Sequence, residues 1–169
     1  QVRDMPVLLT ATGAVAALQS VDVKAQTTSV VTKVHIKEGQ FVKAGELLFT
    51  LDGRTDEANL NKARAQLAKD EAGLADAQRQ LARSRELLAQ NFVSQGAVDA
   101  NQSQVESQSA VIAADKAAIE AARVQVSYAR IVAPGAGRAD AINVYPGSAV
   151  QANQTALVSI TQHDPIGVA

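Results

Sequence analysis

Two runs of branched apolar residues, each repeating every seven positions, constrain the fold of this chain more than any other feature. The first run consists of leucines and the second of valines and isoleucines: Leu60, Leu67, Leu74, Leu81 and Leu88, then Val98, Val105, Ile112, Ile119 and Val126. A seven-residue apolar period is typical of helices that pack side by side in a coiled coil. We therefore expect two long helices that form a hairpin, and we call these ten residues the hairpin seam.

The numbering of the seam also indicates how the two helices are aligned. Folding the chain about position 93 places Leu60 opposite Val126, and the numbers of every facing pair add to 186. Because a slipped register would set seam residues opposite charged side chains, this constant sum favours one antiparallel alignment. We expect a helix over 55–91, a bend over 91–96 and a second helix over 97–126.

Residues suited to helix ends lie at both expected starts. Thr55 can cap the first helix, with Asp56 and Glu57 in its first turn, where carboxylates are favoured by the helix dipole. Ser94 can cap the second helix. A two-helix seam covers each side chain only partly, so we expect the hairpin to gain stability from packing against neighbours.

The composition argues against several functions. Sixteen basic and seventeen acidic residues give a net charge of -1, so we expect no nucleic-acid partner. Cysteine is absent, which excludes thiol catalysis and cysteine metal sites. The two histidines, His35 and His163, are far apart in sequence, and carboxylate pairs such as Asp70 and Glu71 have basic neighbours. We therefore predict no catalytic residue, no metal and no cofactor.

Strand-like segments precede and follow the hairpin, and they match each other at an offset of 108 residues. Val34 falls on Ile142 and Gly39 falls on Gly147. One extra residue near 153–154 then moves the offset to 109. The pattern predicts a duplicated β domain, with one half-motif over residues 20–54 and the other over 127–162.

Two such half-motifs resemble the halves of a biotinyl/lipoyl domain, a flattened β sandwich. In a carrier domain the halves are joined by a tight turn with a modified lysine, whereas the junction here is the helical segment. The segments VVTKVHIKEGQFVKAGELL (30–48) and YARIVAP (128–134), separated by a helical hairpin, resemble the periplasmic adaptor, or membrane fusion protein, family of tripartite efflux pumps. The resemblance implies an α+β fold, in which a long antiparallel coiled-coil hairpin interrupts a split lipoyl-like β sandwich.

The bend contains a motif of that family. Members that dock on a TolC-type outer-membrane channel share an arginine, three residues, a leucine, six residues and a serine, and Arg83, Leu87 and Ser94 match this spacing. The resemblance implies that these three residues contact the channel. The second half-motif departs from the family at Pro134–Asp140, where relatives carry a bulky apolar residue after the proline, so we expect a thinner or more mobile strand entry there.

The resemblance also implies the protein's partners and location. They are an inner-membrane efflux transporter, more in keeping with the resistance-nodulation-division (RND) type, and a TolC-type channel, with adaptor copies forming a trimeric or hexameric ring in the periplasm. Residues 1–19 and 163–169 would belong to the start of a β-barrel domain, and a segment absent here would anchor the full-length protein to the inner membrane. The alternatives are an adaptor for an ATP-driven or type I secretion system and, from another class, a lipoyl or biotinyl carrier.

Overall fold

The computed structural model describes residues 15–168, with side chains from 20 to 162, so most of the segment 1–19 lies outside the described residues. Eight strands and two helices follow one another along the chain. Their bounds are β1 Val15–Lys24, β2 Ser29–Val34, β3 Phe41–Val42, β4 Leu47–Leu51, α1 Arg54–Ala89, α2 Gln95–Tyr128, β5 Arg130–Val132, β6 Gly137–Ile142, β7 Ala149–Val150 and β8 Ala156–Val168. The chain divides into two compact units, one formed by the residues up to Thr50 and from Ile131 onward and the other by Leu51–Arg130. We call them the β unit and the hairpin unit.

The β unit contains two four-stranded sheets whose strand orders reveal a duplication. One sheet has the order β1-β8-β6-β3 and the other β5-β4-β2-β7. Exchanging each strand of the first half with its counterpart in the second, β1 with β5 through to β4 with β8, converts one order into the other. Each sheet therefore contains strands from both halves, and neither half-motif forms a complete sheet by itself.

Backbone hydrogen bonds repeat at the same offset as the sequence. The Gly39 N–H donates to the Ala139 carbonyl at 2.8 Å, and the matching bond runs from the Gly147 N–H to the Val31 carbonyl, also at 2.8 Å. Gly39 and Gly147 have φ angles of +75° and +94°, a region that favours glycine. The expected turn at Lys37–Gln40 closes with a bond of 3.1 Å from the Gln40 N–H to the Lys37 carbonyl, as the sequence predicts.

Large apolar side chains from both sheets fill the core of the β unit. The side chains with less than 2% exposure include one aromatic, two leucines and four valines: Phe49, Leu48, Leu157, Val31, Val42, Val150 and Val158. Several of them alternate with exposed neighbours along their strands, as expected where one face of a sheet is covered. The burial of these side chains is the main stabilising contribution that we assign to this unit.

The strand entry after Pro134 contains small residues for a steric reason. A Cβ on Gly137 would lie 2.7 Å from Ile160 Cγ2 and 2.8 Å from the Thr161 carbonyl oxygen, so the close pairing of β6 with β8 requires glycine. Beside it lies an open depression of about 170 Å³, lined by Val21, Pro134, Gly135, Ala136, Ile160 and Gln162. A bulkier side chain in this segment would fill part of that space.

The hairpin unit consists of the two helices, with all ten seam residues buried or half-buried. Leu60, Leu81, Val98, Ile112 and Ile119 are the best covered, at 6–8% exposure. The helices span 54–89 and 95–128, against the expected 55–91 and 97–126. Two cross-helix hydrogen bonds near the bend agree with the expected register, because Asn101 pairs with Ser84 and Gln102 with Arg85, numbers that add to 185 and 187.

The α+β class, a β domain with a helical hairpin between its halves, is confirmed. The predicted domain boundaries at 19/20 and 162/163 fall inside strands β1 and β8, which pair antiparallel from Val15 with Val168 to Lys24 with Ala156. The assignment of residues 15–19 and 163–168 to a β-barrel domain stays a prediction.

Candidate functional site

The bend between the helices is held by a Schellman motif, a hydrogen-bonded turn at the C-terminal end of a helix. Helix α1 ends at Ala89, Gln90 is its C-cap and Asn91 takes a φ of +61°. The Asn91 N–H donates to the Leu88 carbonyl and the Phe92 N–H to the Leu87 carbonyl, each at 2.9 Å. These bonds satisfy two carbonyls that the helix end would otherwise leave unpaired. They also explain why α1 ends two residues before the predicted position.

Ser94 begins α2 as the sequence predicts. Its backbone is extended, with φ −82° and ψ 156°, and its Oγ accepts a hydrogen bond of 3.4 Å from the Ala97 N–H. This is the geometry of a serine N-cap. The hydroxyl hydrogen of Ser94 is not used by that contact, so the side chain keeps a donor for another molecule.

The predicted cap at the other helix start is wrong. The N-cap of α1 is Gly53, without a capping side chain, and its carbonyl accepts from the Glu57 N–H at 2.9 Å. Thr55 is an exposed residue inside the helix. The reason is local, because Asp52 accepts hydrogen bonds from the Arg54 side chain and N–H and so favours an earlier start. The Arg54 guanidinium also holds the pKa of the Asp52 carboxyl below its usual range.

The three arginines near the tip differ in their partners. Arg79 forms an ion pair with Asp76, and Arg85 donates to Gln102 Oε1 at 2.8 Å. Arg83 is exposed, and within residues 20–162 its side chain has no hydrogen-bond or ion-pair partner. Of these three arginines, the one at the motif position is thus the one with no donor engaged by residues 20–162.

Leu87 and Phe92 supply the apolar part of the tip. Leu87 is half-buried, whereas Phe92 leaves 73% of its surface exposed. Phe92 lies outside the three motif positions, so the motif does not predict a role for it. The available signal was that the chain has only five aromatic residues, two Tyr and three Phe, and one of them lies in a polar bend. We call Arg83, Leu87, Phe92 and Ser94 the tip surface.

Two carboxyl groups meet in the middle of the hairpin, away from the tip. Asp115 of α2 is half-buried, and no donor among the described residues reaches its buried Oδ2. Burial raises the pKa of the Asp115 carboxyl, and Asp70 of α1 raises it further through hydrogen bonding and charge repulsion, while Lys69 opposes the shift. Asp70 itself accepts a hydrogen bond of 2.6 Å from Gln66. A proton on the Asp115 carboxyl would allow that group to donate to Asp70, in keeping with its raised pKa.

The remaining candidate groups stay apart in the described part of the chain. His35 is exposed and its Nε2 lies 2.8 Å from Thr50 Oγ1, while the side chain of His163 is outside the described range. No group of three His, Asp or Glu side chains within the described residues could hold a metal ion. Neither described helix has a stretch long and apolar enough to cross a membrane.

Comparisons with known proteins identify relatives of both units. Residues 59–129 match the family model described as the RND MFP alpha-helical hairpin domain, where MFP stands for membrane fusion protein. The multidrug resistance protein MdtA of Proteus mirabilis is 40% identical over 167 residues, covering 98% of this chain and 41% of the relative. MdtA of Yersinia pestis is 38% identical, covering 98% of this chain and 38% of the relative. The chain therefore spans about two fifths of these curated relatives.

Two solved structures have folds similar to that of this chain. A MacA–MexA chimera with the Pseudomonas aeruginosa MexA α-hairpin domain has a TM-score of 0.55 and 31% identity, covering 89% of this chain and 48% of that one. The membrane fusion protein Spr0693 from Streptococcus pneumoniae R6 has a TM-score of 0.71 and 16% identity, covering 92% of this chain and 67% of that one. At that identity, the second match concerns the fold alone.

Proposed function

The chain belongs to the membrane fusion protein family of RND efflux pumps, and on that premise we propose that it is the adaptor of a tripartite pump. It links an inner-membrane efflux transporter to a TolC-type outer-membrane channel, for the export of drugs or other small toxic compounds. The role is non-enzymatic, with the hairpin tip as the docking element. The proposal places this part of the protein in the periplasm, with the full-length protein anchored at the inner membrane.

The observation that carries the proposal is the state of the tip surface. Among residues 20–162, the exposed guanidinium of Arg83 has no partner and the Ser94 hydroxyl has no acceptor for its hydrogen. Unused donors on a folded tip are suited to bonding backbone carbonyls or side chains of another protein. Leu87, half-buried between them in sequence, adds an apolar contact. The roles of Arg83, Leu87 and Ser94 in channel contact are part of the proposal.

A transporter of the RND type fits better than an ATP-driven exporter, because the matching hairpin model is that of RND membrane fusion proteins. A ring of adaptor copies is also part of the proposal. The best-covered seam residues of the hairpin unit retain 6–8% exposure, and several others are half-buried, so neighbouring hairpins could cover more apolar surface.

A cysteine crosslink tests the docking role directly. The 169 residues contain no cysteine, so Gln95→Cys places a single thiol in this region beside the tip. In cells that make the full-length protein with its channel, a thiol-linked photo-crosslinker at this position should capture the channel. Arg83→Ala and Ser94→Asp should reduce both capture and drug resistance. Aspartate keeps the N-cap, so the second variant removes the hydroxyl without removing the cap.

Arg79→Ala is the matched control, because Arg79 lies on the same helix and its partner Asp76 is also on α1. It should leave capture and resistance unchanged. If Arg83→Ala and Ser94→Asp behave like Arg79→Ala while the protein stays folded, the hairpin is a structural spacer and the docking role is wrong.

A further inference from the structure

We propose that Phe92 is the apolar anchor of the tip surface, the side chain that enters an apolar recess on the partner channel. The inference rests on the proposed function, because it identifies a further contact residue in the same docking surface. It adds a residue outside the arginine, leucine and serine pattern, and it assigns to that residue the largest apolar contact of the tip.

The solvent exposure of Phe92 supports the anchor role. Phe92 leaves 73% of its surface in contact with solvent, although a polar residue would serve equally well in a solvated bend. Exposed aromatic rings on folded proteins are often contact residues, because burying them against a partner removes a large apolar area from water.

The backbone around Phe92 is held by hydrogen bonds. The Phe92 N–H is bound to the Leu87 carbonyl, and Asn91 before it is fixed by its own bond to the Leu88 carbonyl. Two residues later Ser94 adopts its cap conformation and α2 begins. The backbone around Phe92 is therefore fixed on both sides, so binding would restrict little beyond the two side-chain torsions of the ring. Pre-organisation of this kind lowers the entropy cost of association.

The hairpin unit itself covers little of the Phe92 side chain. In a Schellman motif the residue at the position of Phe92 often packs on the residue at the position of Leu87. Here Leu87 remains only half-buried and most of the Phe92 ring stays exposed. Both side chains thus keep apolar surface that the hairpin unit does not cover.

The charges nearby favour a protein partner over a lipid surface. Arg83 and Arg85 are matched in sequence by two acidic residues close to the bend, Glu86 and Asp99. A tip with balanced charge has no electrostatic attraction to an anionic membrane. An aromatic ring surrounded by mixed polar groups is typical of the centre of a protein interface.

The test is the affinity of the full-length adaptor for its purified TolC-type channel in detergent. Phe92→Ser should raise the dissociation constant about thirtyfold, the effect of removing an interface hot spot. Phe92→Leu should restore part of the loss. Phe41→Ser is the matched control, since Phe41 is an equally large ring with 66% exposure in the β unit, and it should leave the affinity unchanged.

The outcomes separate this inference from the function on which it rests. If Phe92→Ser binds normally while Arg83→Ala binds weakly, the anchor role is wrong and the docking role stands. If both variants bind normally, the docking role fails as well. If Phe92→Ser loses helix content by far-UV circular dichroism together with affinity, Phe92 serves the hairpin fold and the anchor role is overturned.

Discussion

The β unit and the hairpin unit bury apolar side chains to different extents, and the difference indicates which part is self-sufficient. In the β unit Phe49, Leu48 and Leu157 have 0% exposure, because two sheets can enclose a side chain from both faces. In the seam of the hairpin unit even Val98, the best covered of the ten seam residues, keeps 6%. A pair of helices contacts each seam residue from one direction only. The β unit therefore encloses its own core, whereas the hairpin has apolar surface left for partners.

The largest effect on stability is expected from truncation of a core side chain, and comparing one such variant in each unit tests this difference. Phe49→Ala should cost about 3–5 kcal/mol of unfolding free energy, because it opens a cavity in an enclosed core. Leu67→Ala should cost about 1 kcal/mol, since Leu67 is only half-buried in the seam. Urea unfolding followed by circular dichroism measures both. Equal losses would mean that the seam is as enclosed as the β core, contrary to the comparison.

Two glycines, one inside β6 and one just before it, test the close pairing of β6 with β8 in the β unit. Gly137→Ala should cost about 1–3 kcal/mol, because its Cβ would lie 2.7 Å from Ile160 Cγ2 and 2.8 Å from a backbone oxygen. Gly135→Ala is the control two residues earlier, where a Cβ would meet nothing within 4 Å. Thermal unfolding of the two variants measures the gap. If they melt together, the small residues at this strand entry have another cause.

A serine and a threonine test the ends of the hairpin helices. Ser94→Ala should lower stability by about 0.5–1 kcal/mol, because the Ala97 N–H loses Ser94 Oγ as one of its two acceptors and keeps only the Ser94 carbonyl. Thr55→Ala should change stability by less than about 0.5 kcal/mol, because Thr55 is an exposed residue that caps nothing. The measurement is urea unfolding of both variants. A larger loss at Thr55 would restore it as the cap of α1.

The smallest expected effect is a change in the pH dependence of hairpin stability. Folding raises the pKa of Asp115, so the folded chain holds a proton that the unfolded chain releases. Stability should therefore fall as the pH rises from about 4, the ordinary aspartate pKa, through the raised value. Asp115→Asn should remove this fall, because the amide can donate to Asp70 at every pH. Urea unfolding across a pH series measures the slope.

Asp52 should affect the pH dependence of stability in the opposite direction, and Asp52→Asn tests this in the same pH series. Its pKa is lowered by the hydrogen bonds from Arg54, so its stabilising contribution is lost as the pH falls below the ordinary aspartate value. If Asp115→Asn keeps the slope of the unmodified chain, the Asp70–Asp115 contact does not hold a proton.

The sequence periodicity made the fold predictable, but the ends of α1 depend on individual hydrogen bonds and could not be predicted accurately. The seven-residue repeat and the offset of 108 led to the correct fold class, because both depend on patterns summed over many residues. The end of α1 was placed two residues too late, because a heptad does not register that Asn91 takes a positive φ. The Thr55 cap was wrong because Asp52 and Arg54 together set an earlier start. Such outcomes turn on one or two hydrogen bonds.

The candidate site was predictable only as far as its motif. The spacing identified Arg83, Leu87 and Ser94, and their channel contacts stay a prediction. Spacing could not show that Arg83 has no partner within residues 20–162 whereas Arg85 has one, since the difference lies in a hydrogen bond to Gln102 across the hairpin. Nor could it reveal that Phe92 is exposed, because exposure depends on the turn that follows α1.

The pairing of strands from both halves in each sheet has a consequence for the order of folding. The half-motifs are separated by the whole hairpin, and joining them directly would require closing a long, flexible loop. The hairpin forms from contacts nearer in sequence, and the Leu51 N–H donates to the Ala129 carbonyl at 2.7 Å. Once the two helices have packed against each other, that bond holds the end of the first half-motif close to the start of the second. The loop that remains to be closed is then short. The seam would then act as the kinetic nucleus, and weakening it would slow refolding more than it accelerates unfolding.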